Sequence, residues 1–462
     1  MPLLVAGLYL GGAGARSALV AGVVATLIVL VLCATAYVDL AWLFSGAIAL
    51  AVFSGNWRQL GLPNLVSPDR LLLVVAFVAF ILRDPWLGRR ARVNLTWTHV
   101  LMLLAASFAL CSAIVAGTVG ERAALYPLID RFGIAPFLLF LCAPVVFRTA
   151  RERRILSITF LLLGAYLGIT AFCEGVGLHF LVFPRYILDP SYGFQPGRAR
   201  GPFAESAVNG VALYYSAVAA IVAFATLRER WIRWLSLTVA TLCLFDLIFT
   251  LQRSVWIGAV VATAVAALAV PQMRRRLVVL IPAAVVCVIA AIAFLPGLHG
   301  QVTERVNDQR TTWDRKNLNT AAENMFLARP LVGFGWGTFR DSSEDYFRQN
   351  PDYPLTNSTG EVHNVFLANA AELGLVGTTL WVLAFLAAIG GAIVVRGPPA
   401  LYPWRIGLLA ITLMWLIVAN LIPMVQGFPN QVLWLWAGVV CSWRYSEAPE
   451  VGWAPVAPAR SG

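Results

Sequence analysis

Four cationic or basic side chains have the chemical type and the position that catalysis requires. Arg198 and Arg200 lie in a segment rich in glycine and proline, just before an apolar run. Arg253 lies where two apolar runs meet, and His363 lies near the end of a long polar stretch. Guanidinium groups bind oxyanions bidentately and stabilise developing negative charge, and a neutral imidazole accepts the proton of a hydroxyl. These residues could therefore bind an anionic substrate and supply a general base.

Each of these residues also has a purely structural interpretation. An arginine near the end of a membrane span often reaches for phosphate headgroups, and a single histidine is more often structural than catalytic. For His363 the spacing of Ser358 and Glu361 is that of a capping box, which predicts a helix that starts at Ser358. We expect His363 in the first two turns, where a helix N-terminus disfavours the imidazolium form.

Two carboxylates are candidates for supporting roles. Asp246 lies in an apolar run and Arg253 follows seven residues later, so on one continuous helix they fall within about 20° of the same face. Along the axis they are roughly 10 Å apart, too far for an ion pair. A hydrogen bond from Asp246 to a neighbouring hydroxyl or to water is the alternative. For Glu372, capping the following span is the plainer role.

A glycine-rich motif, Gly333-Phe-Gly335-Trp-Gly337, lies between Arg253 and His363 in the sequence. It is not a nucleotide-binding loop, because it lacks the GxGxxG spacing and no strand precedes it. A tight turn here would let backbone amides or aromatic rings approach a ligand. No cluster of histidine, cysteine and carboxylate has the spacing of metal ligands, so we expect no metal and no cofactor.

The elements that position these residues are membrane-spanning helices. Of the 462 residues, 60% are hydrophobic and only 12% are charged. Apolar runs recur at the length of about 20 residues that crosses a bilayer, which excludes a soluble enzyme and an outer-membrane barrel. We predict an all-α, polytopic bundle of about 12 to 14 helices with a long extracytoplasmic loop. The predicted spans lie near 17–38, 39–54, 68–82, 98–116, 132–148, 155–173, 207–227, 232–251, 254–270, 277–295, 373–395, 406–424 and 431–444.

The distribution of charge predicts the orientation. The net charge of +11 is concentrated in short arginine-rich loops at 83–92, 148–154, 228–233, 273–276 and 396–405, which the positive-inside rule places in the cytoplasm. This pattern favours orientation in the membrane over a nucleic-acid partner. We therefore expect four parts: helices within 1–295 with an outer segment at 174–206, an extracytoplasmic loop at 296–372, helices within 373–444, and a disordered cytoplasmic tail at 445–462.

The motifs of the long loop resemble those of one family. The run from Arg329 through Gly333, Gly335 and Gly337 is followed by His363-Asn364 and by Glu372-Leu-Gly-Leu-Val-Gly. This order is similar to the signature of the O-antigen ligase and O-antigen polymerase superfamily. Upstream, the segment around Arg200 and the junction at Arg253 resemble that family's two outer arginine motifs. The resemblance covers about 198–380, with Glu205-Ser206 and Gln252-Arg253-Ser254 departing from the commoner residues.

The resemblance implies a multi-pass enzyme of the bacterial cytoplasmic (inner) membrane. Such enzymes take a glycan from undecaprenyl diphosphate on the outer face and pass it to a hydroxyl of a lipid, glycan or protein acceptor. It also implies site roles for individual residues. His363 would be the base, and Arg200 and Arg253, with Arg198, would bind the diphosphate. Asn364 and the three glycines at 333, 335 and 337 would contact substrate.

Two alternatives to a ligase remain open from the sequence. A polymerase of the same family would use the same residues on a growing glycan. A lipid-linked glycan transporter would also explain many helices and intramembrane charge. Against a transporter, the functional-looking residues collect on one face of the membrane and no paired broken helices are evident.

Overall fold

The protein is described by a computed structural model. It describes residues 37–62, 67–87, 94–276, 310–347, 360–424 and 426–445, with a few single residues outside these ranges. The predicted spans near 17–38 and 277–295 lie outside the described residues, except for a few single positions. The tail after residue 445 lies outside them as well. Two parts of the outer loop, residues 296–309 apart from single residues and residues 348–359, lie outside them too.

The described residues form helices and no β-strand, which confirms the predicted all-α fold. Short 3₁₀ and π turns join the α-helices. In chain order the α-helices are α1 Leu40–Leu50, α2 Pro68–Leu87, α3 Trp97–Ala116, α4 Arg122–Pro127, α5 Ile134–Val146, α6 Ala150–Gly175, α7 Ser206–Thr226, α8 Arg230–Asp246, α9 Arg253–Leu268, α10 Arg310–Ala328, α11 Phe339–Ser342, α12 Val365–Phe385, α13 Gly391–Val394, α14 Tyr402–Ala419 and α15 Gly427–Val440.

Seven helical stretches in this part of the chain are long and apolar enough to cross a membrane, so a polytopic helical bundle is confirmed. Helix α7 is the central one, since nearly all of its side chains are buried. It packs against α6, α8 and α14. The seven stretches are Trp97–Ala116, Arg122–Val146, Ala150–Gly175, Ser206–Thr226, Arg230–Thr250, Val365–Val394 and Pro399–Ala419.

Side-chain contacts define two ends of the bundle. At one end Arg154 pairs with Glu229 at 2.8 Å and Arg151 with Asp39 at 3.4 Å. These arginines belong to the cluster predicted to face the cytoplasm. The other end is held by polar contacts between outer segments. These are Asn56 Nδ2 to the Pro202 carbonyl at 2.7 Å and Thr118 Oγ1 to the Trp336 carbonyl at 2.7 Å.

Helix α12 differs from the predicted span in two ways. It begins at Val365, eight residues before the predicted start at 373, so the predicted boundary between loop and span falls inside a helix. It is also broken at Gly374, whose φ of 64° is left-handed. The segment 330–335 fills the break: the amides of Phe334 and Gly335 donate to helix carbonyls, and the amide of Leu375 donates to the Pro330 carbonyl at 2.7 Å.

Candidate functional site

Arg200 is buried and its guanidinium is engaged with the protein's own backbone. The side chain is 2% exposed, Nη1 donates to the carbonyl of Tyr192 at 2.6 Å, and Nη2 donates to the carbonyls of Ile187 and Asp189 at 2.5 and 2.9 Å. Its backbone amide donates to Glu174 Oε2 at 2.9 Å. A diphosphate would reach this guanidinium only after the 187–192 segment moved, so the contacts support a positioning role rather than the expected donor-binding role.

Arg253 is half-buried and is the first residue of α9. The segment that contains Arg198 and Arg200 is tied to this junction, because Gln252 Nε2 donates to Gln195 Oε1 and to Ser206 Oγ, the latter at 2.8 Å. The amide of Ala199 also donates to the Phe249 carbonyl at 2.9 Å. The structure therefore brings the two outer arginine motifs together, as the sequence predicts. Arg198, in the first motif, is half-buried.

The predicted relation between Asp246 and Arg253 is wrong. Helix α8 ends at Asp246, a 3₁₀ turn covers Leu247–Thr250, and Arg253 starts a new helix. The two side chains therefore do not share a continuous helical face. Asp246 is fully buried and neither carboxylate oxygen has a hydrogen-bond partner among the described residues. The alternative expectation, a bond to a neighbouring hydroxyl, is absent from them too.

His363 does not lie in a helix, which corrects the prediction from the capping box. Ser358 is outside the described residues, Glu361 to Asn364 are not helical, and α12 begins only at Val365. The cap is Asn364, whose Oδ1 accepts the amides of Phe366 and Leu367 at 3.0 and 3.1 Å. Its Nδ2 donates to Asn420 Oδ1 at 3.1 Å. These contacts give Asn364 a structural role, and its expected contact with substrate stays a prediction.

The His363 ring is neutral because it is buried, and not because it lies at a helix N-terminus. Burial is the main cause that lowers its pKa, to about 4, and the positive charge of Arg315 on α10 adds to the effect. The backbone amide of His363 donates to Asn319 Oδ1, also on α10, at 3.2 Å. Ring atom Nδ1 is buried and makes no hydrogen bond within the described part of the chain. A hydrogen bond with the backbone of Glu361 opposes the shift but does not cancel it, so the imidazole is neutral at pH 7.

The glycine motif is explained by packing. Gly333 and Gly335 have φ of 69° and 114°, and their neighbours are the backbone of Glu372 and the side chain of Ala116. The amide of Gly335 donates to the Glu372 carbonyl at 2.8 Å, so it stabilises the break in α12 and is not left for a ligand. Gly337, with φ of 81°, packs on Ala124. Gly337 also lines the cavity described below.

Glu372 holds the end of this motif in place. Its side chain is buried, and Oε1 accepts the backbone amide of Phe339 at 3.1 Å. Glu372 therefore joins α12 to the 337–339 segment, whereas the sequence favoured a cap of the following span.

A cavity of about 310 Å³ opens beside these residues. It lies between the 122–131 segment and the two parts of the outer loop around 337–340 and 361–372. Sequence reasoning missed it, although Arg70, Arg122 and Arg131 flank predicted spans at their outer ends and the positive-inside rule makes such arginines informative. The charged residues that line the cavity are Arg70, Arg122, Arg131, Arg340, Asp130, Glu361 and Glu372.

Two acidic residues, Glu205 and Glu361, relate the cavity to the segment that contains Arg198 and Arg200. Burial raises the pKa of Glu205 to about 7, and the nearby charge of Glu361 adds to this effect. Glu205 directly precedes α7, and Glu361 lines the cavity two residues before His363. The residues predicted from sequence and the cavity thus lie at one end of the bundle.

Comparison with known families agrees with this arrangement. Residues 238–382 match the family model described as O-Antigen ligase. The match includes Arg253, the glycine motif, His363 and Glu372, and it stops before α14. Comparison with curated proteins gives no significant match. Over residues 238–382 the chain is therefore similar to the O-antigen ligase family.

Proposed function

We propose that the protein transfers a glycan from an undecaprenyl-diphosphate donor to an acceptor hydroxyl at the outer face of a bacterial cytoplasmic membrane, without a metal. The observation that carries this proposal is His363. A neutral imidazole with a buried, unoccupied Nδ1 lies at the bundle end that also contains the arginine motifs, within the O-antigen ligase domain. A neutral imidazole is the form that accepts a proton from a hydroxyl.

Arg253 is the residue proposed to hold the donor's diphosphate, with Arg198 as the second contact. Arg253 begins α9, and Ser206, bonded to Gln252, begins α7, so two helix N-termini lie side by side. The N-terminal amides and the helix dipole favour an anion at such a place, and a guanidinium adds a bidentate charge-assisted contact. Arg200 supports this arrangement by holding the 187–200 segment.

In the proposed reaction, His363 takes the hydroxyl proton of the acceptor while the acceptor oxygen attacks the anomeric carbon. The bond from that carbon to the diphosphate oxygen breaks, and Arg253 stabilises the charge that develops on the leaving group. Attack opposite the diphosphate inverts the anomeric carbon. The low pKa of His363 arises partly from Arg315, and a bound diphosphate would offset that positive charge and make the imidazole a stronger base.

The proposed enzyme forms a new glycosidic bond, whereas a transporter moves the glycan without forming one. The break at Gly374, within the Val365–Val394 stretch, is filled by the 330–335 backbone, whereas the broken helices of a transporter line its substrate site. The test uses the full-length protein in proteoliposomes with an undecaprenyl-diphosphate-linked oligosaccharide and a candidate acceptor. We expect a new glycosidic bond, detected by mass spectrometry, and release of undecaprenyl diphosphate. Movement of the glycan across the bilayer without a new bond would overturn the proposal.

A further inference from the structure

The arginines that line the 310 Å³ cavity exceed the carboxylates that neutralise them. Arg70 pairs with Asp130 at 2.5 Å. Arg131 and Arg340, by contrast, share one carboxylate, that of Glu361, at 3.6 and 3.3 Å. Arg131 Nη1 also donates to the Pro423 carbonyl at 3.4 Å. Two guanidinium groups that share one carboxylate still keep several N–H donors available.

Arg122 adds a further charge at the mouth of the cavity. It is exposed and makes no ion pair or hydrogen bond within the described ranges. The remaining carboxylate of the cavity, Glu372, accepts the backbone amide of Phe339. The four arginines face three carboxylates, and one of these three already serves the backbone, so the cavity attracts an oxyanion.

The shape of the cavity suits a small polar group. Its volume is at the lower end of that of ligand sites, which fits one sugar unit and excludes a long lipid tail. Tyr126 lines the wall and is 37% exposed, with the Arg70 guanidinium 4.1 Å from its ring centre. An aromatic ring beside guanidinium groups offers an apolar face and charged donors to the same ligand.

The position of the cavity separates it from the arginines proposed to hold the donor. No residue of 195–206 or 249–256 lines it. Glu361 and Val362 do line it, and they directly precede His363. A group bound in the cavity would therefore lie on the His363 side of the site, where the acceptor hydroxyl has to be presented.

We propose that this cavity binds an acidic group of the acceptor, a phosphate or carboxylate carried on a sugar, and so selects acidic acceptors. The identification of the ligand as the acceptor rests on the proposed function. The binding of an oxyanion rests on the cavity alone. Arg122 and Arg340 would contact the acidic group, and Glu361 would orient Arg131 and Arg340 toward it.

The test measures binding to the purified full-length protein in detergent by equilibrium dialysis. The probes are glucose 6-phosphate and glucuronate, with glucose as the uncharged match and undecaprenyl diphosphate as the donor probe. The cavity variant carries Arg122→Gln and Arg340→Gln. The control is Arg185→Gln, because Arg185 is exposed on the outer segment, donates to the carbonyls of His179 and Phe180, and does not line the cavity. Thermal unfolding shows that each variant is folded.

We expect both acidic probes to bind about ten-fold more tightly than glucose, as for one or two charge-assisted hydrogen bonds. The cavity variant should lose this preference and keep its affinity for undecaprenyl diphosphate, and the control should keep both. In transfer assays glucose 6-phosphate should compete with the acceptor. Equal binding of glucose and the acidic probes would overturn the proposal. So would loss of undecaprenyl diphosphate binding in the cavity variant, which would assign the cavity to the donor. A retained preference without any transfer would leave an oxyanion site but refute both its acceptor role and the proposed function.

Discussion

Gly333 and Gly374 lie against each other's chain segments at the break in α12. A Cβ atom on Gly333 would collide with the backbone carbonyl of Glu372, and one on Gly374 would collide with that of Leu331. Both residues have a left-handed φ. The outer loop can therefore enter the helix break only where both segments lack a side chain, and this contact places Glu372 and the glycine motif beside the cavity.

Replacement of Gly374 by alanine should destabilise the protein strongly. The left-handed conformation and the collision with Leu331 together cost about 2 kcal/mol or more. We expect a lower melting temperature in detergent and reduced transfer. Gly391→Ala is the matched control, because Gly391 is helical and has open space around it. An unchanged melting temperature in Gly374→Ala would show that the break is not required.

Glu372 should act through the backbone that it holds. Glu372→Ala leaves the buried amide of Phe339 without its acceptor, which costs about 1 to 3 kcal/mol of stability. In Glu372→Gln a side-chain oxygen remains, so we expect most of the stability to be kept. Melting temperatures of the two variants test this order. Equal loss in both would mean that the charge of Glu372, and not its hydrogen bond, stabilises the loop.

The two outer arginines should respond differently to lysine. In Arg253→Lys we expect undecaprenyl diphosphate binding to weaken by about ten-fold or more while the protein stays folded, because an ammonium cannot reproduce the planar fork. In Arg200→Lys we expect a lower melting temperature, because one ammonium cannot satisfy three backbone carbonyls with the same geometry. Full donor binding by Arg253→Lys would contradict the donor-binding role of Arg253. It would favour the structural interpretation, in which Arg253 anchors its helix.

The pKa of His363 predicts a pH dependence of stability. The folded-state pKa of about 4 lies below the ordinary value of 6.5, so between these values the unfolded chain binds more protons. Stability from this residue is therefore complete above about pH 6.5 and is lost as the pH falls toward 4. The difference in melting temperature between the protein and His363→Gln should shrink or reverse over that range. A constant difference would show that His363 is not buried in its neutral form.

The sequence predicted where the helices lie better than it predicted where they begin or break. Apolar runs and arginine clusters located the spans, because crossing a bilayer demands long apolar helices and a biased charge. The convergence of the two outer arginine motifs followed from that topology. The start of α12 was misplaced because Asn364, and not Ser358, provides the cap. The break at Gly374 depends on a segment about forty residues earlier in the chain, and no local pattern reports such a contact.

The site was predicted in its residue types and only partly in their roles. His363 was selected for a neutral ring, but the cause is burial and Arg315 rather than a helix N-terminus. Arg200 was expected to face a ligand, but its guanidinium donates to backbone carbonyls of a loop. The loop has no sequence periodicity that would predict these contacts. The cavity arginines come from segments far apart in sequence, so only the folded chain brings Arg70, Arg131 and Arg340 together.

The most direct test of the proposed function is glycan transfer by His363→Ala, measured beside donor binding. The assay uses purified protein in detergent, an undecaprenyl-diphosphate-linked oligosaccharide and an acceptor. His179→Ala serves as the control, because His179 is an exposed histidine of the outer segment. Loss of a general base typically lowers the rate by about 10²- to 10⁴-fold and leaves donor affinity unchanged. We predict that result for His363→Ala and full transfer for His179→Ala, whereas undiminished transfer by folded His363→Ala would contradict the role of His363 as the base.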